Sequence, residues 1–224
     1  MAYVVDHSES KSRPTVNDFT ITWDDCYLDI DRDRVSSLPF ARKRMIAQQT
    51  RLPGYEKMDH PQLTRELSEY LNNIVSWSPS HEGAFKRAPR LPNPIPVYVN
   101  RYDEFGARRS IRMINGFGEG LSILTDRRGN IIGITEYHDD LENGLTLDFD
   151  QKGNLKKRIR GSESGGLLTV ETWEDRKYTI YYYLNGKQIS KEGYRNYLRS
   201  ISQEVEGSTL LPRDVVKGVL EKYY

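Results

Sequence analysis

Asp103-Glu-Phe-Gly106, Asp126-Arg-Arg-Gly129 and Asp150-Gln-Lys-Gly153 stand 23 and 24 residues apart. Each leads into a short β-type run, at residues 110–114, 131–135 and 155–159. A degenerate fourth pass has Glu174-Asp-Arg-Lys177 in the turn and the run 178–183 after it. A period of this length marks one small supersecondary unit used repeatedly. Asp at the first turn position accepts hydrogen bonds from the backbone two residues on, and Gly at the fourth takes the left-handed conformation without a Cβ clash. Between β-type runs the phrase predicts a hairpin with a bulge. The linkages between units, 115–120, 138–144 and 161–166, are rich in Gly, Asn, Asp and Ser and read as turns too. Residues 97–190 are therefore expected to form an antiparallel meander of roughly eight short strands. None of the chain's ten prolines falls there, as strands with N–H groups committed to ladders require.

The middle unit shows its faces best. Leu145, Leu147 and Phe149 alternate with Thr146, Asp148 and Asp150, the period of a half-buried strand. On this reading Lys156, Arg158 and Arg160 lie beside those Asp residues on the opposite face, where cross-strand charge pairing accounts for them. Arg108 and Arg112 share a face of an earlier strand. If the strands lie side by side, these five make a candidate basic contact face with tyrosines nearby. The zone 97–190 nevertheless holds 14 Lys/Arg and 14 Asp/Glu. That balance favours a solvated mixed-charge face over a nucleic-acid or anionic-lipid surface.

Gly144-Leu-Thr-Leu-Asp-Phe-Asp-Gln-Lys-Gly-Asn-Leu-Lys156 resembles the MORN-type hairpin repeat, in its shorter variant with a Gly-x-x-x-x-Asp-x-x-Gly-Asn core. Gly120-Leu-Ser-Ile-Leu-Thr-Asp-Arg-Arg-Gly-Asn-Ile131 matches the same pattern. The segment from Tyr182 through Asn185-Gly186 to Tyr197 resembles the close of repeat proteins in large DNA viruses. The first unit departs from the pattern in lacking the leading Gly and the Asn, and the fourth in lacking the turn Gly. The resemblance implies scaffolding and protein contact rather than chemistry.

The chain has 224 residues, 33 basic and 32 acidic side chains and a net charge of +1, so it has no bulk attraction for polyanions. The one cysteine, Cys26, excludes an internal disulfide framework and fits a reducing compartment. Residues 1–10 lack a signal-peptide core, no run approaches a membrane span and no Asn-x-Ser/Thr acceptor occurs, so a protein retained in cytoplasm or virion is expected. Residues 1–35 read as a polar, flexible arm followed by the alternating strand Phe19-Thr-Ile-Thr-Trp23 and a solvated acidic strand and turn. Asp29-x-Asp31-x-Asp33 begins like a calcium loop, but Arg34 and Phe40 occupy the positions that need Gly and Glu. Residues 36–78 read as two helices, one capped by Ser37 with Pro39 in its first turn, the other starting at Asp59 or His60. Leu63, Leu67, Tyr70, Leu71 and Ile74 form the apolar stripe of the second. Residues 79–96 hold five prolines and read as a stiff linker. Within it Lys86-Arg-Ala-Pro89-Arg-Leu-Pro92 fits a basic-x-x-Pro-x-x-Pro ligand, with Lys86, Pro89 and Pro92 as its anchors. Residues 191–224 read as a helical cap begun by Ser190, with a last helix after Pro212.

No nucleophile, base and orienting group occur together, and the four histidines have no metal-ligand spacing to one another or to Cys26. No catalytic, cofactor or metal residue is assigned. The expected fold is mainly β with flanking α, a hairpin-repeat array capped by helices at both ends. The expected role is a non-enzymatic structural or interaction protein working with other proteins in a larger assembly, in the setting of a minor capsid component of a large DNA virus. A cytosolic adaptor or antitoxin-like module is the first alternative, and a nucleic-acid or lipid binder using the basic face the second.

Overall fold

The computed structural model describes residues 2–6, 12–75, 91–138, 140–162, 166–174 and 177–206. The fold is mainly β with flanking helices. Ten strands form one sheet: β3 (Leu28–Asp31), β4 (Val97–Tyr102), β5 (Arg108–Ile114), β6 (Phe117–Thr125), β7 (Ile131–His138), β8 (Leu141–Phe149), β9 (Leu155–Ser162), β10 (Leu167–Glu174), β11 (Lys177–Leu184) and β12 (Lys187–Ile189). They lie side by side in chain order. Every neighbouring pair is antiparallel except β3 and β4, which run parallel across a connection carrying α1 (Phe40–Gln49) and α2 (His60–Val75). A separate two-stranded ribbon, β1 (Tyr3–Asp6) with β2 (Phe19–Thr22), packs against the sheet, and α3 (Lys191–Glu206) follows β12.

The sheet carries two cores on opposite faces, and the register shows why. Val97 and Val99 of β4 lie opposite Met113 and Ile111 of β5, and all four point toward the helices. There they meet Leu28, Ile30, Ile46, Leu63, Leu67, Tyr70 and Leu71. The parallel β3–β4 connection needs a helical crossover, and the amphipathic stripe of α2 supplies the cover. One step along the sheet the apolar residues change sides. Ser110 opposes Ile123, Ile123 opposes Ile134, and Ile134 opposes Leu147. This second row, with Leu121, Phe149 and Leu155, is buried under Phe19, Val4, Val16 and Ile21 of the N-terminal segment. Phe19 meets Phe149 edge to face, with ring centres 5.6 Å apart.

Several expectations need correction. Residues 3–6 and 12–17 are not a free arm: β1 pairs with β2, and the Val16 amide bonds the Gly153 carbonyl at 2.7 Å. Burial of Val4, Val16 and Phe19 supplies the free energy that the polar composition concealed. The acidic strand 28–31 is an integral sheet strand, with Leu28 and Ile30 buried. Nine strands, not eight, span Val97 to Ile189, because Asn185-Gly186 adds a final hairpin with φ of +51° and +74°. Ser37 does not cap α1: it sits in a 3₁₀ turn and donates to the Arg34 carbonyl, while the Pro39 carbonyl receives the Lys43 amide. The start of α2 is as expected, Asp59 accepting from the Gln62 amide at 2.8 Å. The described helices lie against the sheet near its two ends, as expected. The last helix expected after Pro212 lies outside the described residues, and Ile74 is described as backbone alone.

Candidate functional site

The three repeated turns share one geometry. The Oδ1 of Asp103 accepts from the amides of Phe105 and Ala107, that of Asp126 from Arg128 and Asn130, and that of Asp150 from Lys152 and Asn154, all at 2.8–2.9 Å. Gly106, Gly129 and Gly153 have φ of +81°, +85° and +78°. These six residues are architectural. Among the described residues only the Asp150–Gly153 turn is clasped by the N-terminal segment, through Val16 and through Arg13, which donates to the Leu155 carbonyl and pairs with Asp150 at 3.4 Å.

The expected polar face of the middle hairpin is rearranged by a bulge. Asp148 pairs with Lys157 but Phe149 with Leu155, so Lys156 is the extra residue. Beyond it the alternation is reversed. Arg158 and Arg160 stand opposite Leu147 and Leu145, on the apolar face beneath the N-terminal ribbon, and not beside Asp148. Lys156 remains exposed.

That placement turns the candidate basic face into an internal receiver of carboxylates. Arg158, with its side chain 3 % exposed, donates to Glu171 at 2.9 and 2.7 Å and to Asp6 of β1 at 2.8 Å. Arg160 binds the same two acids at 2.7 and 3.0 Å. Tyr178 donates to Glu171 at 2.7 Å, and the Trp173 ring lies under the Arg158 guanidinium at 5.4 Å. Burial pushes the Glu171 carboxyl up, but hydrogen bonds from Arg158 and Tyr178 outweigh it and the net direction is down. Burial, then the bond to Glu171, pushes the Tyr178 hydroxyl up. At the other end Arg112, 4 % exposed, makes a bidentate pair with Asp24 at 2.7 and 3.0 Å, and Tyr98 donates to the same carboxylate at 2.8 Å. Arg108 bonds Asn100 at 2.7 Å and approaches Asp29 at 3.8 Å. Arg108, Arg112, Arg158 and Arg160 thus face carboxylates of residues 6–29 or of β10, and two of them, Arg112 and Arg158, are buried. Among the described residues these side chains form no continuous exposed basic stripe.

The open surface lies at the far edge. β12 pairs only with residues 182–184 of β11, so among the described residues 177–181 have no strand on that side. Tyr178 is 42 % and Tyr181 36 % exposed. Lys177, Lys187, Lys191 and Arg195 are exposed around this edge, against Glu174 and Glu192. α3 packs on β11 with the Tyr182 and Tyr194 rings 4.7 Å apart, and Ser190 caps it by accepting the Gly193 amide at 3.0 Å.

Of the Pro-rich candidate, Lys86 and Pro89 lie outside the described residues. Pro92 is exposed, and the chain around it is tied down rather than acting as a free spacer. The Leu91 amide bonds the Asn115 side chain and the Ile95 amide that of Gln49, both at 2.9 Å. Among the described residues no three metal-ligating side chains cluster, and no helix is long and apolar enough to cross a membrane. Sequence reasoning missed Asp6, Asp24 and Glu171 as the partners of the basic residues. No local signal marks them, because the pairs span 11 to 154 positions of the chain. Comparisons with protein families, with curated proteins and with solved structures find no match to this chain.

Proposed function

We propose that the protein is a non-enzymatic structural or interaction component that receives an extended, acidic segment of a partner protein along the free edge of β11. The observation that carries this reading is the edge itself: among the described residues, five positions of β11 with no strand on the outer side, two exposed tyrosines, and four exposed cations against two acids. Main-chain hydrogen bonds to such an edge give affinity, and flanking side chains select the partner. Tyrosine offers a large contact area at low entropic cost. The resemblance of the repeat supplies the setting we favour, a minor structural component of a large DNA virus particle.

The test is cross-linking mass spectrometry on the protein in its native source, with nuclease treatment and a salt series. Cross-links from Lys177 or Lys187 to one protein partner, surviving nuclease and high salt, support the reading. The Lys177→Glu, Lys187→Glu double variant is expected to weaken that association by about tenfold through like-charge repulsion, with folding intact. Association lost to nuclease alone would overturn the proposal in favour of nucleic acid, and absence from purified particles would remove the viral setting.

A further inference from the structure

Lys43 is a buried cationic side chain. It projects inward from α1, and the whole residue is 1 % exposed. Its Nζ donates to the Ser36 carbonyl at 3.1 Å and to the Thr64 hydroxyl oxygen at 2.7 Å, and lies 2.8 Å from His60 Nε2. Thr64 spends its own proton on the His60 carbonyl, so its oxygen is free to accept. No carboxylate among the described residues pairs with this amine. A buried ammonium without a counter-ion is costly, and burial moves the Nζ pKa downward. A structural lysine needs only its three acceptors. This one also borders an open cavity of about 390 Å³, lined as well by Ser36, His60, Thr64, Arg65 and Ser68. A base within hydrogen-bond reach of a desolvated amine is the arrangement that activates lysine as a nucleophile.

We propose that Lys43 is a carbonyl-capturing amine, a covalent site for small oxo acids. The cavity at Lys43 admits the carbonyl group, and Arg65 at its rim, with a side chain 70 % exposed and paired to Glu66 at 3.0 Å, offers a guanidinium to the ligand's acid group. His60 takes the proton that leaves Nζ. The neutral amine's lone pair then adds to the carbonyl carbon, and the carbonyl π pair moves to oxygen, which takes up that proton from the imidazolium. Nitrogen next loses its remaining extra proton to His60, and the carbinolamine hydroxyl, protonated by the same imidazolium, departs as water to leave a protonated imine. One water is released per adduct, and no oxidant or reductant is needed. This site goes beyond the partner-binding role and does not depend on it.

The test uses the full chain with glyoxylate as probe, borohydride to trap the imine, and peptide mass spectrometry to place the reduced adduct. Each unit by which an amine's pKa falls raises its neutral fraction about tenfold near neutral pH. Lys43, whose pKa burial lowers, is therefore expected to label measurably faster than exposed lysines such as Lys152 and Lys187. His60→Gln, which keeps an acceptor but removes the base, is expected to slow labelling at Lys43 alone, with the circular-dichroism spectrum and melting temperature unchanged. Lys43 labelling no faster than the exposed lysines overturns the proposal. An unchanged rate in His60→Gln removes the proton acceptor from it, and equal labelling by glycolaldehyde, which lacks the acid group, removes Arg65.

Discussion

Asp24 illustrates what one carboxylate can do when two donors converge on it. Burial alone would raise its pKa, yet the bonds from Arg112 and Tyr98 and the nearby guanidinium charge bring it from 3.8 down to about 2. A folded value below the unfolded one stabilises the fold fully above about pH 4, and this stabilisation drains away as pH falls toward 2. Urea unfolding of wild type and Asp24→Asn should therefore show a clear gap at pH 6 that narrows at pH 2.5. A gap independent of pH would mean that the charge contributes nothing. Glu171 is shifted in the same direction, so the wild type itself loses stability over acidic pH from both ends of the sheet. The favoured geometry comes from residues 88 positions apart for Asp24 and Arg112, beyond the reach of any local reading of the chain.

Elements whose causes are local were legible. The Asp-x-x-Gly turns require one acceptor and one residue with positive φ within four positions, and the structure has both in all three. The stripe of α2 and the Ser190 cap were legible for the same reason. The single-residue bulge at Lys156 was not, and it reversed the facing of Arg158 and Arg160. Nor was the parallel pairing of Leu28 with Val97, which depends on a crossover of more than sixty residues closing on itself. The basic face was read without the ribbon whose Asp6 takes up Arg158 and Arg160. Turn by turn, a contrast follows. A Cβ at Gly129 meets nothing within 4 Å, whereas one at Gly153 lies 3.2 Å from Val16 Cγ1. Gly129→Ala should cost only the left-handed strain of about 1–2 kcal/mol. Gly153→Ala should cost that and more, because the clasped segment must also shift. Denaturant midpoints of the two variants compare them directly, and equal losses would show that the clasp yields freely.

For the molecule as a whole, the two cores on opposite faces predict two cooperative units. Helices α1 and α2 with β3–β5 share one buried cluster, and the ribbon with β6–β9 shares the other. Native-state hydrogen exchange should resolve two levels of protection divided near β5 and β6, and a single level throughout would refute the division. The route of the N-terminal segment adds a consequence for biosynthesis. It is the first part of these strands to leave the ribosome, yet Asp6 binds Arg158, made 152 residues later. At about 5–20 residues per second, Asp6 waits roughly 8–30 seconds for its partner. Through that interval Phe19 and Val4 are apolar side chains in search of a surface, while the growing sheet shows the matching row bare. A nascent chain stalled before β9 would carry both halves of an unmade contact, and the ribbon of one chain would be free to seat itself on the sheet of another.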